Sequence, residues 1–168
     1  MSADTLSTLA TLAGTRLKAG GRMLVTAESC TGGWIAEVVT AIAGSSEWFE
    51  RGYVTYSNES KQALVGVRAE TLAHFGAVSE QTACEMALGA LVASRASAAL
   101  AVTGVAGPSG GSPEKPVGMV CFSWALRDGQ PTHETRHFAG DRTAVRRQAV
   151  IRALQGLIEV LDEAGAQV

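Results

Sequence analysis

Apolar positions recur at helical spacing over residues 4–19, where Leu6, Leu9, Leu12, Ala13 and Leu17 fall on one side. Asp4 stands as a cap and Gly20-Gly21 ends the run. The run "MLVTAE" (23–28) is short and apolar and predicts a buried strand. "TGGWIAEVVTAIAG" predicts a helix over about 31–42, stopped by Gly44. "FERGYVTYS" (49–57) alternates and is rich in β-formers, so it predicts a strand. Two short helices follow, over 58–67 with Asn58 as cap and over 68–76 ending at glycine. Ser79 caps a longer helix to about residue 95, with Ala83, Met86, Ala87, Ala90 and Leu91 on one side. "AALAVTG" (98–104) reads as a second buried strand, and residues 104–118 as a long Gly/Pro-rich loop. Strands over 117–126 and 132–138 are joined through "RDGQP". Asp141 caps a last helix over about 142–163, with Val145, Ala149, Ile151, Leu154, Leu157, Ile158 and Leu161 at helical spacing.

Strands and helices alternate early and a hairpin comes late. No fixed-period repeat and no linker divides the chain. The expectation is one α/β domain over residues 1–168, a mixed sheet covered by helices on both faces. In such sheets ligands bind where strands hand over to loops and helix starts.

Composition narrows the classes. With 46% hydrophobic and 18% charged residues the chain is globular rather than disordered. A net charge of -2 offers no basic footprint for nucleic acid. Cys30, Cys84 and Cys121 are odd in number and widely spaced, which fits a reducing, cytoplasmic setting better than a disulfide framework or a metal site. The first twenty residues lack the pattern of a signal peptide, and no run reaches the roughly 18 apolar residues of a membrane span.

"HETRH" (133–137) matches H-E-x-x-H but not its context. The zinc motif needs a helix, where residues four apart share a face. Here the segment reads as a strand, which separates the two histidines by roughly 13 Å. No metal and no cofactor is expected. The loop "GVAGPSGG" is neither a dinucleotide fingerprint nor a P-loop, yet its glycines can turn backbone N–H groups toward an anion. It can equally be a turn without a ligand. "GDRTAVRRQ" (140–148) puts Arg142, Arg146 and Arg147 in the first turns of a helix, against its dipole. That arrangement suggests a task such as holding phosphate, although taken alone it is better read as Arg146 and Arg147 solvated or paired with acids.

"AESCTGG" (27–33) holds two candidate nucleophiles, Ser29 and Cys30, where a strand meets a helix. The N–H groups of Cys30, Thr31, Gly32 and Gly33 are expected to face outward there, ready for a carboxylate, phosphate or oxyanion. Alternatively, Ser29 or Thr31 merely caps the helix. A serine needs a base. No histidine is an obvious partner. Lys61 is the better candidate, being one of only three lysines and set among apolar runs, because a desolvated lysine can be neutral. Tyr56 is placed to relay or orient the proton.

The stretches "TAESCTGGWIAEV", "GSSEWFERGYVTYSNESKQALVGV", "GAVSEQTACEMALGAL", "TGVAGPSGGSPEKPVG" and "GDRTAVRRQAV" strongly resemble the CinA C-terminal domain family, in its stand-alone form, over about residues 5–162. The resemblance implies a three-layer α/β/α sandwich. It implies hydrolysis of the carboxamide of nicotinamide mononucleotide (NMN) to nicotinate mononucleotide and ammonia, in the recycling of NAD. It also implies Ser29 as nucleophile, supported by Tyr56 and Lys61 of Y-S-N-x-x-K. The substrate site it implies takes in Cys30, Thr31, Gly32, Gly33, Asn58, Thr103, Gly104, Ala106, Gly107, Gly110, Gly111, Arg142 and Arg146. The family loop often has an acid where this chain has Ser109. A homodimer is expected from the family, with NMN as the small-molecule partner and no nucleic acid or membrane. The contrasting reading is a non-catalytic nucleotide- or partner-binding module, which would not need a serine and a lysine together.

Overall fold

The computed structural model describes residues 3–167. Five strands form one sheet in the order β2-β1-β3-β4-β5. They are β1 (Leu24–Glu28), β2 (Phe49–Val54), β3 (Ala98–Gly104), β4 (Met119–Leu126) and β5 (Thr132–His137). β1 runs parallel to both β2 and β3, whereas β4 and β5 are antiparallel additions. The helices are α1 (Ala3–Ala19), α2 (Trp34–Thr40), α3 (Asn58–Val65), α4 (Ala69–Phe75), α5 (Glu80–Val92) and α6 (Arg142–Ala166), with a short 3-10 turn over Ser45–Glu47. The mixed α/β sandwich is as the alternation predicts. Among the described residues no helix is long and apolar enough to cross a membrane.

Two apolar clusters flank the sheet. One joins α1, α2 and α6 around Leu17, Ile35, Phe122 and Leu154. The other joins α3 and α5 around Val65, Met86 and Leu91. β1 divides its side chains between them, with Leu24 in the first cluster and Val25 and Ala27 in the second. The same alternation sends Glu28 toward α2 and Ser29 toward α3.

Several boundaries differ from the sequence expectation. α2 begins at Trp34 and not at Thr31, because Gly32 (φ 61°) and Gly33 (φ 101°) are left-handed and keep 29–33 a turn. Ser57, not Asn58, caps α3. Its side chain accepts from the Ser60 amide, and the Ser60 hydroxyl accepts from the Ser57 amide in return. α5 stops at Val92 rather than near 95, and α6 runs past 163 to Ala166. The Asp4 cap lies outside the described side chains. Asp141 and Ser79 cap their helices as expected, each accepting from the amide three residues on.

α3 sits close on α5 because Gly89 has no side chain: a Cβ there would come within 1.6 Å of the Val65 carbonyl oxygen. Gly89→Ala must push α3 outward. It is expected to cost about 2–4 kcal/mol, at the upper end of overpacking changes. Thermal melting measures this, and an unchanged midpoint would contradict the close contact.

Candidate active site

The parallel strands end together. Glu28 of β1 lies beside Val54 of β2 and Val102 of β3. The pairing continues past the strand, since the Ser29 amide donates to Val102 O (2.9 Å) and the Thr55 amide to Glu28 O (2.8 Å). The turn 29–33, the segment leading into α3 and the glycine loop 104–118 therefore leave the sheet at one edge, where such folds bind ligands.

Ser29 and Lys61 meet there. Lys61 Nζ lies 3.1 Å from Ser29 Oγ and donates to Thr55 O at 2.8 Å. Both residues are buried, Lys61 at 1% exposure. Burial pulls the Lys61 pKa below the ordinary lysine value. Among the described residues no carboxylate pairs with it to restore its charge. A desolvated, unpaired lysine in contact with a hydroxyl can take that hydroxyl's proton.

Cys30 is a different chemical object despite its place in the chain. Its side chain joins the α1/α2/α6 cluster, and burial pushes its thiol pKa up to about 12. A thiol held protonated is a poor nucleophile.

The other expected site residues are placed as follows. Tyr56 is not between Ser29 and Lys61, which touch directly. It is 61% exposed, and its hydroxyl accepts from Arg142 Nη2 at 3.0 Å. Arg142 Nη1 donates to Gly107 O at 2.8 Å, so Arg142 ties the segment before α3 to the glycine loop. Beside it lies a cavity of about 460 Å³, lined by Ala106, Pro108, Val117, Gly140 and Asp141. Arg146 is directed at the turn: it donates to Cys30 O and Thr31 O, each at 3.0 Å, and lies over the Trp34 ring. The Gly32 amide, expected to face outward, donates instead to Ser29 O at 3.0 Å. Thr103 is buried and donates to Ala77 O, and Gly104 pairs with Val120 inside the sheet. Asn58, Ser109, Gly110 and Gly111 are exposed, and Asn58 O accepts from Gln62 Nε2 within α3.

Glu28 was missed by sequence reasoning. Its carboxylate is 1% exposed. Oε1 accepts from Thr31 Oγ1 (2.6 Å) and the Ile35 amide (2.9 Å), and Oε2 accepts from the Ala36 amide (3.0 Å). It therefore satisfies the start of α2, where no side-chain cap exists at Gly33. The available signal was an acid at the end of an otherwise apolar strand run, directly before a helix.

"HETRH" lies on β5 as expected. His133 stands opposite Ser123 and bonds Glu80, while His137 stands opposite Met119. Among the described residues no group of three or more His, Cys, Asp or Glu side chains converges as metal ligands would.

Known proteins share this architecture. The CinA C-terminal domain pattern matches residues 6–161. Nicotinamide-nucleotide amidohydrolase PncC of Escherichia coli strain K12 is 57% identical over 157 residues, covering 94% of this chain and 95% of that protein. The protein of the same name from Pseudomonas putida is 52% identical over 161 residues, covering 95% and 99%. The crystal structure of the competence/damage inducible protein CihA from Agrobacterium tumefaciens superposes with a TM-score of 0.90 at 50% identity, covering 94% of this chain and 96% of that one.

Proposed function

The chain belongs to the CinA C-terminal domain family, and on that premise we propose that it hydrolyses the carboxamide of NMN with Ser29 as nucleophile and Lys61 as base. The overall reaction adds water to the amide and releases nicotinate mononucleotide and ammonia, within the recycling of NAD. Amidohydrolases with this nucleotide in their names are similar to the chain along nearly their whole length. The observation that carries the residue roles is the 3.1 Å contact between a buried, desolvated Lys61 Nζ and Ser29 Oγ.

Neutral Lys61 takes the Ser29 proton as Oγ attacks the amide carbon. The carbonyl π electrons move to oxygen, and amides of the turn hold that oxyanion at about 3–4 kcal/mol per donor. The ammonium of Lys61 returns the proton to the leaving nitrogen, which departs as ammonia. Water, deprotonated by Lys61, then attacks the acyl-enzyme and restores Ser29. The ribose phosphate is assigned to the cavity beside the glycine loop, because Arg142 lines it and is held on that loop through Gly107 O.

We also propose that residues 1–168 act as one amidohydrolase domain, that the chain works in the cytoplasm, and that it pairs with a second copy. Three free cysteines support a reducing compartment. An apolar groove between α3 and α5, edged by Leu64, Leu88 and an 85%-exposed Val92, supports self-association.

Ammonia release from NMN, with and without chelator, tests the reading, and absence of product sinks it. Cys30→Ala removes the thiol and keeps the amide. It is expected to lower kcat by less than about 10-fold, since the activated nucleophile is the hydroxyl beside the base. A loss of the size expected for Ser29 would assign the attack to the thiol.

A further inference from the structure

Arg146 holds two carbonyls of the nucleophile turn, and among the described residues three amides of the same turn have no oxygen acceptor. From Ser29 to Ala36, the Ser29 amide goes to Val102 O, that of Gly32 to Ser29 O and that of Trp34 to Thr31 O. Those of Ile35 and Ala36 go to Glu28. Among the described residues the Cys30, Thr31 and Gly33 amides donate to no backbone or side-chain oxygen. Cys30 and Thr31 are buried, whereas Gly32 is exposed and Gly33 half-buried, so it is the amides of the two buried residues that are shut off from water and ask for a partner.

Arg146 decides where one of these amides points. A trans peptide holds its C=O and N–H antiparallel. Arg146 Nε pulls Cys30 O toward α6, so the N–H of the same peptide, that of Thr31, is turned away from α6. α6 packs on one face of the sheet and α3 on the other, and the alternation of β1 places Ser29 on the α3 side. The second bond, from Nη2 to Thr31 O, orients the next peptide so that the Gly32 amide closes onto Ser29 O. The turn needs such a hold, because Gly32 and Gly33 with positive φ leave the neighbouring peptides free to flip.

We infer that Arg146 is a positioning residue that fixes the Thr31 amide as an oxyanion donor beside Ser29, and that it is not a ligand of the substrate phosphate. The inference rests on the reading that Ser29 attacks a carbonyl carbon.

Steady-state ammonia release from NMN separates the two roles when measured with calorimetric binding of nicotinate mononucleotide. Arg146→Ala is expected to lower kcat by about 10²-fold with KM and the product Kd within about 3-fold of wild type. Arg146→Lys, which can reach one carbonyl but not grip both, is expected to recover part of kcat. It also serves as the reporting variant if melting shows the alanine protein unfolded. KM and product Kd raised about 10-fold or more with kcat preserved would make Arg146 a phosphate ligand and overturn the inference. A substrate-free readout keeps this distinct from the choice of NMN. Phosphonylation of Ser29 by a fluorophosphonate, whose P=O oxygen needs the same amide, is expected to slow by a similar factor in Arg146→Ala. An unchanged rate in the folded variant overturns the inference even if NMN proves not to be the substrate.

Discussion

Lys61→Met is expected to lower kcat for ammonia release from NMN by about 10³–10⁴-fold while the protein stays folded. Ser29→Ala is expected to lose at least as much, and the double variant little more, because the two side chains act as one unit. Methionine fills nearly the volume of the lysine stem and removes a charge that the site desolvates without an acid partner. The melting temperature should therefore hold or rise near neutral pH. The sign of the pH dependence follows from the lowered pKa. Between its folded value and the ordinary value near 10.5, the unfolded chain binds a proton on Lys61 that the folded chain does not. Wild-type stability should therefore rise with pH across that window, relative to Lys61→Met. Activity should rise through the folded pKa as Lys61 becomes neutral. Wild-type-like turnover by folded Lys61→Met would exclude it as the base.

Glu28→Ala is expected to cost about 3–5 kcal/mol, since two buried donors and one half-buried donor lose their carboxylate acceptor at once. For a domain of this length that corresponds to a fall of roughly 10–15 °C in melting temperature. Glu28→Gln keeps the shape but turns an N–H₂ toward one of the donors, so it should fall between the two. A melting temperature within about 2 °C of wild type for Glu28→Ala would mean that water replaces the carboxylate at the start of α2.

Lys61 stood out in the sequence because lysines are scarce and this one sits among apolar runs. Its contact with Ser29 did not, since that depends on β2 lying parallel to β1 in a register that aligns Val54 with Glu28. Strand order is a non-local property that periodicity does not carry. The alternation of residues 23–28 was too short and too apolar to declare two faces, so the acid at Glu28 passed as part of a motif. The arginines at the start of α6 were legible as a misfit with the helix dipole. In the structure Arg142 donates to Gly107 O and Tyr56 Oη, and Arg146 to Cys30 O and Thr31 O, partners supplied by distant segments that periodicity does not reveal. The start of α2 was misplaced because Gly32-Gly33 continues a helical pattern as readily as it opens a left-handed turn.

The alternation of β1 has a consequence for how this motif can vary. Residues 29 and 30 are consecutive in the chain but answer to different masters. Whatever stands at 30 must satisfy the packing of an apolar layer and can drift among small, core-compatible side chains without touching the reaction. Whatever stands at 29 must satisfy an amine across the pocket and has almost no latitude. Deleting one residue within 24–28 would exchange these obligations, delivering a buried thiol to the amine and the hydroxyl to the core. The length of a five-residue strand is thus as much a part of the chemistry as the serine it ends in.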